Sequence, residues 1–490
     1  MITQVKAKYV VARQGGKTVL LKDASVYFEE DTILHIGREF SGKVDRLIDE
    51  SDNLLCPGFI DLDALGDIDH TLIFFEVPHE EEDRLRWSER YFLEGRAEAM
   101  TQEEENFKSL YAYVHLIRNG ITTAMPITSV IPKKSAETYE EIEAAAHHAG
   151  RLGLRVYLGP SFLSAKHVLR EDGTLLNVQL PEKEIKQGLA DARRFLENFH
   201  GTYNGLVQGA VVPERIELQT EESLKAAKAL SEEFDVPLRL HASQSLHDYN
   251  YCKDSFALSP VAYLESIGFL GPNTMIPHTI VSSGAPLIDD TSDDDQKILV
   301  DTGTTMIHCP LVYARNGKAL HSFGRYQRLG VRVTMGTDTF PPDMIENIKI
   351  GQVLAKAMDS DRKENYLSYF FHASTIEGAR ALGREDLGVL TPGAKADMIV
   401  IDLDHFDMGV IDDPLRTVFV NGNGQFVKTS IIAGRVVMEN RMIEGVNMEE
   451  LQNKAQSYYE RMKKSYSIRS SVKLPDEEFF HTTFPVGSST

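Results

Sequence analysis

The chain reads as an α/β protein: a (β/α)8 barrel of TIM type plus a small composite β-sandwich formed by both terminal regions. Three observations predict this. The middle of the chain alternates short apolar runs with amphipathic helical stretches, and the runs number eight. Both ends instead show period-2 alternation punctuated by Gly and Asp. Polar residues close several of the middle runs, at spacings of about one strand–helix unit.

The terminal texture appears in "AKYVVAR", "KTVLLKDASVYFEEDTILHIG" and "RLIDESDNLLCPG", and returns in "ADMIVIDLDHF" and "TVFVNGNGQFVKTSIIAGRVVMENRMI". Residues 1–56 and 386–445 are therefore expected to form one sandwich. Residues 57–385 supply the barrel strands: "CPGFID", "GITTAMPIT", "LRVYLGP", "LVQGAVV", "VPLRLHASQS", "TMIPHTIV", "TTMIHCP" and "VRVTMGTD". Stretches such as "EEIEAAAHHAGRLG" and "EESLKAAKALSEEF" supply helices between them. The long polar and aromatic segment 64–106 is expected to cross the barrel mouth, where loops set specificity. Residues 446–490 begin helical and end extended, as a packing arm or oligomer contact.

A chain of 490 residues accommodates one large domain and a smaller one. Its 73 acidic and 52 basic residues give a formal charge of −21, which argues against a nucleic-acid partner. The acidic runs Glu80–Asp83 and Asp289–Asp295 read as solvated faces. Three cysteines make no disulfide framework and suit a reducing cytoplasm. The N-terminus lacks the apolar core of a signal peptide, and no apolar run approaches the roughly 20 residues of a membrane helix. The expected location is cytoplasmic, with no membrane partner.

His241, His278, His308 and Asp338 each close an apolar run, 37, 30 and 30 residues apart. One strand–helix unit per step puts all four at the C-terminal face of a barrel, where such folds keep their reacting groups. Two histidines and an aspartate there suit a zinc-type cation that lowers the pKa of a bound water. Asp338 can then collect the proton. His308 reads equally well as a residue that positions its loop; a helix cap is the bland alternative for Asp338, and Cys309 reads as a small buried side chain rather than a nucleophile. No nucleophile elbow, phosphate loop or dinucleotide fingerprint accompanies them. On the first strand, in "PGFIDLDALGD", Asp63 and Leu65 are two apart and share a side. An aspartate there can grip a cation; a leucine cannot.

From about Val5 to Met442 the chain resembles the amidohydrolase superfamily, in the chlorohydrolase and aminohydrolase branch of s-triazine hydrolases and guanine- or cytosine-type deaminases. The resemblance rests on "PGFID" (57–61), "NGITTAM" (119–125), "LRLHASQS" (238–245), "PHTIV" (277–281), "HCP" (308–310), "MGTD" (335–338) and, above all, "HASTIEGARALGREDLGVLTPGAKADMIVIDL" (372–403). It implies a distorted barrel with a composite sandwich. By its pattern His241 binds metal, Asp338 binds metal and handles the proton of the attacking water, and His278 contacts that water or the substrate. Two departures matter. Asp63 and Leu65 stand where the family's strand-one histidines belong, and Gln244 stands where deaminases of this branch carry a proton-shuttling glutamate. A carboxamide is no general acid, so a standard nucleobase-deaminase mechanism is disfavoured.

The expected reaction is hydrolysis of a non-peptide C–N bond or a C–halide bond of a small molecule. Asp338, His278 and His241 are expected to be catalytic, and Asp63, His241, His278 and Asp338 to hold one divalent ion. Zinc is the first choice, with iron, manganese and cobalt as alternatives. Gln244, His308, Arg315 and Asn316 are the substrate-binding candidates, and His70 and His79 are loop histidines near the altered strand. A homodimer is the family's habit. A metal-free acid–base enzyme and a silent ligand-binding barrel stay open as alternatives.

Overall fold

The structure is a computed structural model that describes residues 1–68, 71–75, 85–359, 366–472, 474–480, 482–485 and 487. His70, His79 and the acidic run Glu80–Asp83 lie outside the described residues.

Both ends of the chain share one seven-stranded sheet. Its order is Arg435–Met438, Val427–Ile432, Met398–Ile401, Arg46–Pro57, Ile2–Gln14, Lys17–Glu29 and Thr32–Gly37. Ile2–Gln14 and Lys17–Glu29 are paired antiparallel from Ile2↔Glu29 to Gln14↔Lys17. The two-residue turn between them is Gly15-Gly16, with φ +54° and +78°, a left-handed conformation that only glycine adopts freely. Alternate residues of these strands, among them Val5, Val10, Val26, Phe28 and Val400, form a core of their own. Arg46–Pro57 is the hinge of the architecture: it pairs with the N-terminal strand and, through Met398↔Pro57, with the returning chain.

After Gly58 the chain enters the barrel. Its eight strands are Phe59–Leu65, Ile121–Ile127, Arg155–Leu158, Val207–Gly209, Leu238–Arg239, Thr274–Pro277, Thr305–His308 and Val333–Met335. Hydrogen-bonded parallel pairing divides them into two sheets of four. A parallel bridge Val211↔Leu238 joins strands four and five. Strands eight and one meet where the Asp338 N–H donates to the Asp63 carbonyl at 2.8 Å and Thr337 donates from N and Oγ1 to the Asp61 carboxylate at 3.0 and 2.6 Å. The (β/α)8 fold expected from the alternation is thus present, with seams that make it irregular. Leu62, Met125, Tyr157, Val212, Met275 and Ile307 fill the interior.

The barrel is tied to the terminal sheet by a buried ion pair. Arg155 of strand three donates from Nε and Nη2 to the two Asp397 oxygens, each at 3.1 Å. Asp397 also receives the Ala433 N–H at 2.6 Å. The C-terminal helix Met448–Arg469 packs on Gln102–Arg118, and its last residue places a guanidinium 4.8 Å over the Trp87 ring. Among the described residues no helix is long and apolar enough to cross a membrane.

Candidate active site

A cavity of about 390 Å³ opens at the C-terminal ends of the strands, lined among others by Leu65, Trp87, His241, Gln244, Tyr313 and Asp338. Phe75, Arg86 and Trp87 bring the segment after strand one to its wall, so that segment does reach the mouth. The backbone is unusual at this point: Ser243, His278, Thr279 and Asp338 all have positive φ, between +43° and +73°. Non-glycine residues in that region cost about 1–3 kcal/mol each and persist where the surroundings enforce them.

Asp63 stands at the centre. Its Oδ2 lies 3.5 Å from His241 Nε2 and 3.8 Å from His278 Nε2, and His278 Nε2 lies 3.5 Å from Asp338 Oδ2. These separations are too long for good hydrogen bonds. The two 3.5 Å separations match the ligand-to-ligand spacing of about 3.3–3.6 Å that metal bonds of about 2.0–2.2 Å give at tetrahedral angles, and the 3.8 Å one lies just outside it. Neither ring nitrogen of the fully buried His278 has a hydrogen-bond partner among the described residues. His241 is oriented by its other nitrogen, which lies 2.9 Å from the Glu214 carbonyl, so that Nε2 faces the site. The orphaned imidazole of His278, the His241 imidazole held by a carbonyl, and the Asp63 carboxylate have ligand atoms all within 4.8 Å of one another, a donor set that fits one divalent ion, and Asp338 meets this set at His278.

The charges explain the titration behaviour. Burial pushes the Asp63 carboxyl up, but His241 and the Arg239 guanidinium outweigh it and hold the group well below the usual carboxylate range. Asp338 goes the other way: burial, then the nearby charge of Asp63, raise it. Burial opposes the charged form of His241, yet Asp63 more than offsets this and raises it. His278 is pushed well below 6.5 by burial and keeps a free lone pair.

The sequence expectation therefore brings Asp63, His241, His278 and Asp338 together. Gln244 lines the same cavity. Its Oε1 accepts from Arg215 Nη2, so its remaining polar capacity is the two N–H donors of the NH2 group. Arg315 and Asn316 also line it; Arg315 Nη1 donates to Thr339 Oγ1 and the Phe340 carbonyl, and Asn316 to the Val312 carbonyl. His308 is different. Its ring packs between Phe323 and Phe370 at 5.8 and 6.0 Å, burial lowers its pKa to about 3, and it is not among the residues that line the cavity. The reason is strand parity: Ile307 and Cys309 on either side of it face the barrel interior, so His308 faces the outer helices.

Arg239 is the residue that sequence reasoning missed. It is wholly buried, with Nη1 3.2 Å from Asp63 Oδ1. The same nitrogen donates to the Leu62 carbonyl at 2.9 Å and to the Met125 carbonyl, and Nη2 reaches the Pro126 carbonyl at 3.3 Å. A signal existed: an arginine inside the apolar run "VPLRLH", two residues before His241 and so on the same face.

Known proteins resemble this chain over most of its length. The 5′-deoxyadenosine deaminase of Methanosarcina acetivorans is 25% identical over 447 residues, 90% of this chain and 94% of that protein. The 5-methylthioadenosine/S-adenosylhomocysteine deaminase of Thermococcus onnurineus is 24% identical over 89% of this chain and 94% of its own length. Among solved structures, an adenosine deaminase from Xanthomonas campestris with bound zinc superposes with a TM-score of 0.77 at 17% identity, covering 94% of this chain and 98% of that one. Atrazine chlorohydrolase from Arthrobacter aurescens complexed with zinc gives 0.76 at 18%, covering 93% and 99%. The C–N and C–halide hydrolysis expected from the sequence is the class of reaction for which these relatives are named. Residues 54–437 match the amidohydrolase family, and the chain belongs to it.

Proposed function

We propose that this protein is a hydrolase that uses an activated water at the barrel mouth to cleave a C–N or C–halide bond of a small molecule. One observation carries the reading: the ligand atoms of Asp63, His241 and His278, from strands one, five and six, all lie within 4.8 Å of one another, and Asp338 from strand eight stands 3.5 Å from His278 Nε2. They would hold one divalent ion, zinc first, which when bound makes water a nucleophile near neutral pH. Asp338 is the group that takes the proton of the attacking water and returns it to a leaving group. Gln244 offers N–H donors to a substrate acceptor and neither gives nor takes a proton. Arg315 and Asn316 border the substrate, in a space sized for a heterocycle with a modest substituent. The reading takes 57–385 as the catalytic unit, 1–56 with 386–445 as the sandwich, 446–490 as the arm, and a homodimer as the assembly.

The test pairs metal analysis of purified protein with ammonia and chloride release from a panel of aminated and chlorinated heteroaromatics. About one equivalent of metal in the wild type, lost in His241→Ala together with turnover, is the expected result; absence of stoichiometric metal after loading sinks the metal-dependent form. A second reading has one observation behind it: Arg239 already supplies a buried cation against Asp63. On that reading Asp338 and His278 do acid–base chemistry without an ion, and full turnover in strong chelator distinguishes it.

A further inference from the structure

We propose that Arg239 is a positioning residue that makes the strand-one aspartate workable: Asp63 and Arg239 act as one unit, and neither functions at this site without the other. The proposal deepens the metal-site reading above and rests on it for its functional half.

The argument starts from charge. A histidine at position 63 would bring a neutral donor into the barrel; Asp63 brings a full negative charge to a side chain with no exposed surface. Such a charge is costly in a low-dielectric interior unless it is paired. The partner must lie inside the barrel, and Arg239, itself unexposed, is that partner at 3.2 Å. Its placement is unambiguous because three backbone carbonyls, of Leu62, Met125 and Pro126, fix the guanidinium across the ends of strands one and two.

Geometry then divides the work of the carboxylate. Arg239 lies two residues before His241 on strand five and therefore one layer deeper on the same inward face. Asp63 turns Oδ1 down toward this guanidinium and Oδ2 up toward His241 Nε2 and His278 Nε2. With Oδ1 engaged, Asp63 is a one-oxygen donor aimed at the point where the two imidazoles converge. Three other buried basic residues follow the same logic elsewhere: Lys108 and Lys133 are matched to Asp67, Glu105 and Glu141, and Arg155 to Asp397, whereas Lys166 and Arg469 donate to backbone carbonyls. Arg239 is matched to the one carboxylate that also belongs to the site.

This yields a result opposite to simple intuition. Restoring the histidine of the family pattern at position 63 should damage the protein, because it strands a buried guanidinium beside an incoming cation. Removing the arginine at the same time should repair it. The experiment compares wild type with Asp63→His, Arg239→Met and the double variant. Chelator-treated proteins are unfolded by urea, and zinc alone is titrated by equilibrium dialysis. Expected are a lowered urea midpoint for each single variant, a midpoint for the double variant close to wild type, zinc binding at least about tenfold weaker in Asp63→His, and recovery to within about threefold in the double. Additive losses, or an Asp63→His protein that matches the double variant in stability and zinc affinity, would overturn the proposal. If the single variants are not recovered as folded protein, Asp63→Asn, Arg239→Gln and their combination run the same cycle. A wild type that takes up no zinc defeats the metal reading alone, since the chelated stability cycle still decides whether the pair acts as a unit.

Discussion

Two buried charged regions invite comparison: the mouth, with Asp63, Arg239, His241, His278 and Asp338, and the junction, with Arg155 and Asp397. Arg155, Asp397, Asp63, Arg239 and His278 are almost inaccessible to solvent, while Asp338 opens onto the cavity. At the junction both carboxylate oxygens are engaged, by a bidentate pair at 3.1 Å and a backbone N–H at 2.6 Å. At the mouth Asp63 Oδ2, His241, His278 and Asp338 stand 3.5–3.8 Å from their nearest neighbours, both His278 nitrogens lack hydrogen-bond partners among the described residues, and the backbone is held in positive φ. Polar groups that satisfy one another hold a fold together. Polar groups held just out of reach of one another are waiting for something to come between them.

The sharpest way to break this contrast is at Asp338. Asp338→Asn should lower kcat/KM by about 10³-fold, with a urea midpoint close to wild type, because the lost group moves a proton and supports no packing. Steady-state kinetics and urea unfolding on the same preparation check both halves. The junction should behave in reverse. Asp397→Ala strands Arg155 and should cost about 3–5 kcal/mol of stability, with kcat of the surviving folded fraction unchanged. Equal loss of turnover in both variants would erase the distinction between the regions.

A third prediction concerns His308, which is buried among rings like a structural group. It titrates at about 3 in the folded chain against an ordinary 6.5. Below pH 6.5 the unfolded chain therefore takes up a proton that the native chain refuses, and stability falls as pH drops from 6.5 toward 3. Between pH 7 and 4.5 this amounts to about 2–3 kcal/mol. Urea unfolding of His308→Phe at the two pH values should show the slope reduced by that amount, and an unchanged slope would mean that His308 takes up its proton in the folded chain as readily as in the unfolded one. The smallest effect is expected at Gln244: Gln244→Ala should raise KM about tenfold, the loss of about 1.4 kcal/mol of ground-state binding, while metal content stays at the wild-type level.

What could be read in the sequence follows the same division. Strand–helix alternation and the polar strand ends exposed the barrel and placed His241, His278 and Asp338 at one face, because those features are periodic. The two-ended texture exposed the terminal sheet. His308 was misplaced because strand phase is not set by a residue's position at the end of a run; only Ile307 and Cys309 packing inward fixes it. Arg239 was overlooked because its partner lies 176 positions upstream in the numbering, and long-range charge compensation leaves no local pattern. Asp63 alone looked like a defect. With Arg239 beside it, the substitution is one half of an exchange.

The arginine at the end of the C-terminal helix has a consequence in time as well as space. Asp63, His241, His278 and Asp338 are all encoded by position 338, but the Trp87 side of the cavity is braced by Arg469, whose Nη1 also donates to the Pro132 carbonyl. During synthesis the chemistry is therefore written well before the wall that encloses it. A nascent barrel carries its strand-end groups in order while one side of their enclosure still lacks its brace, and that brace arrives only with the last long helix.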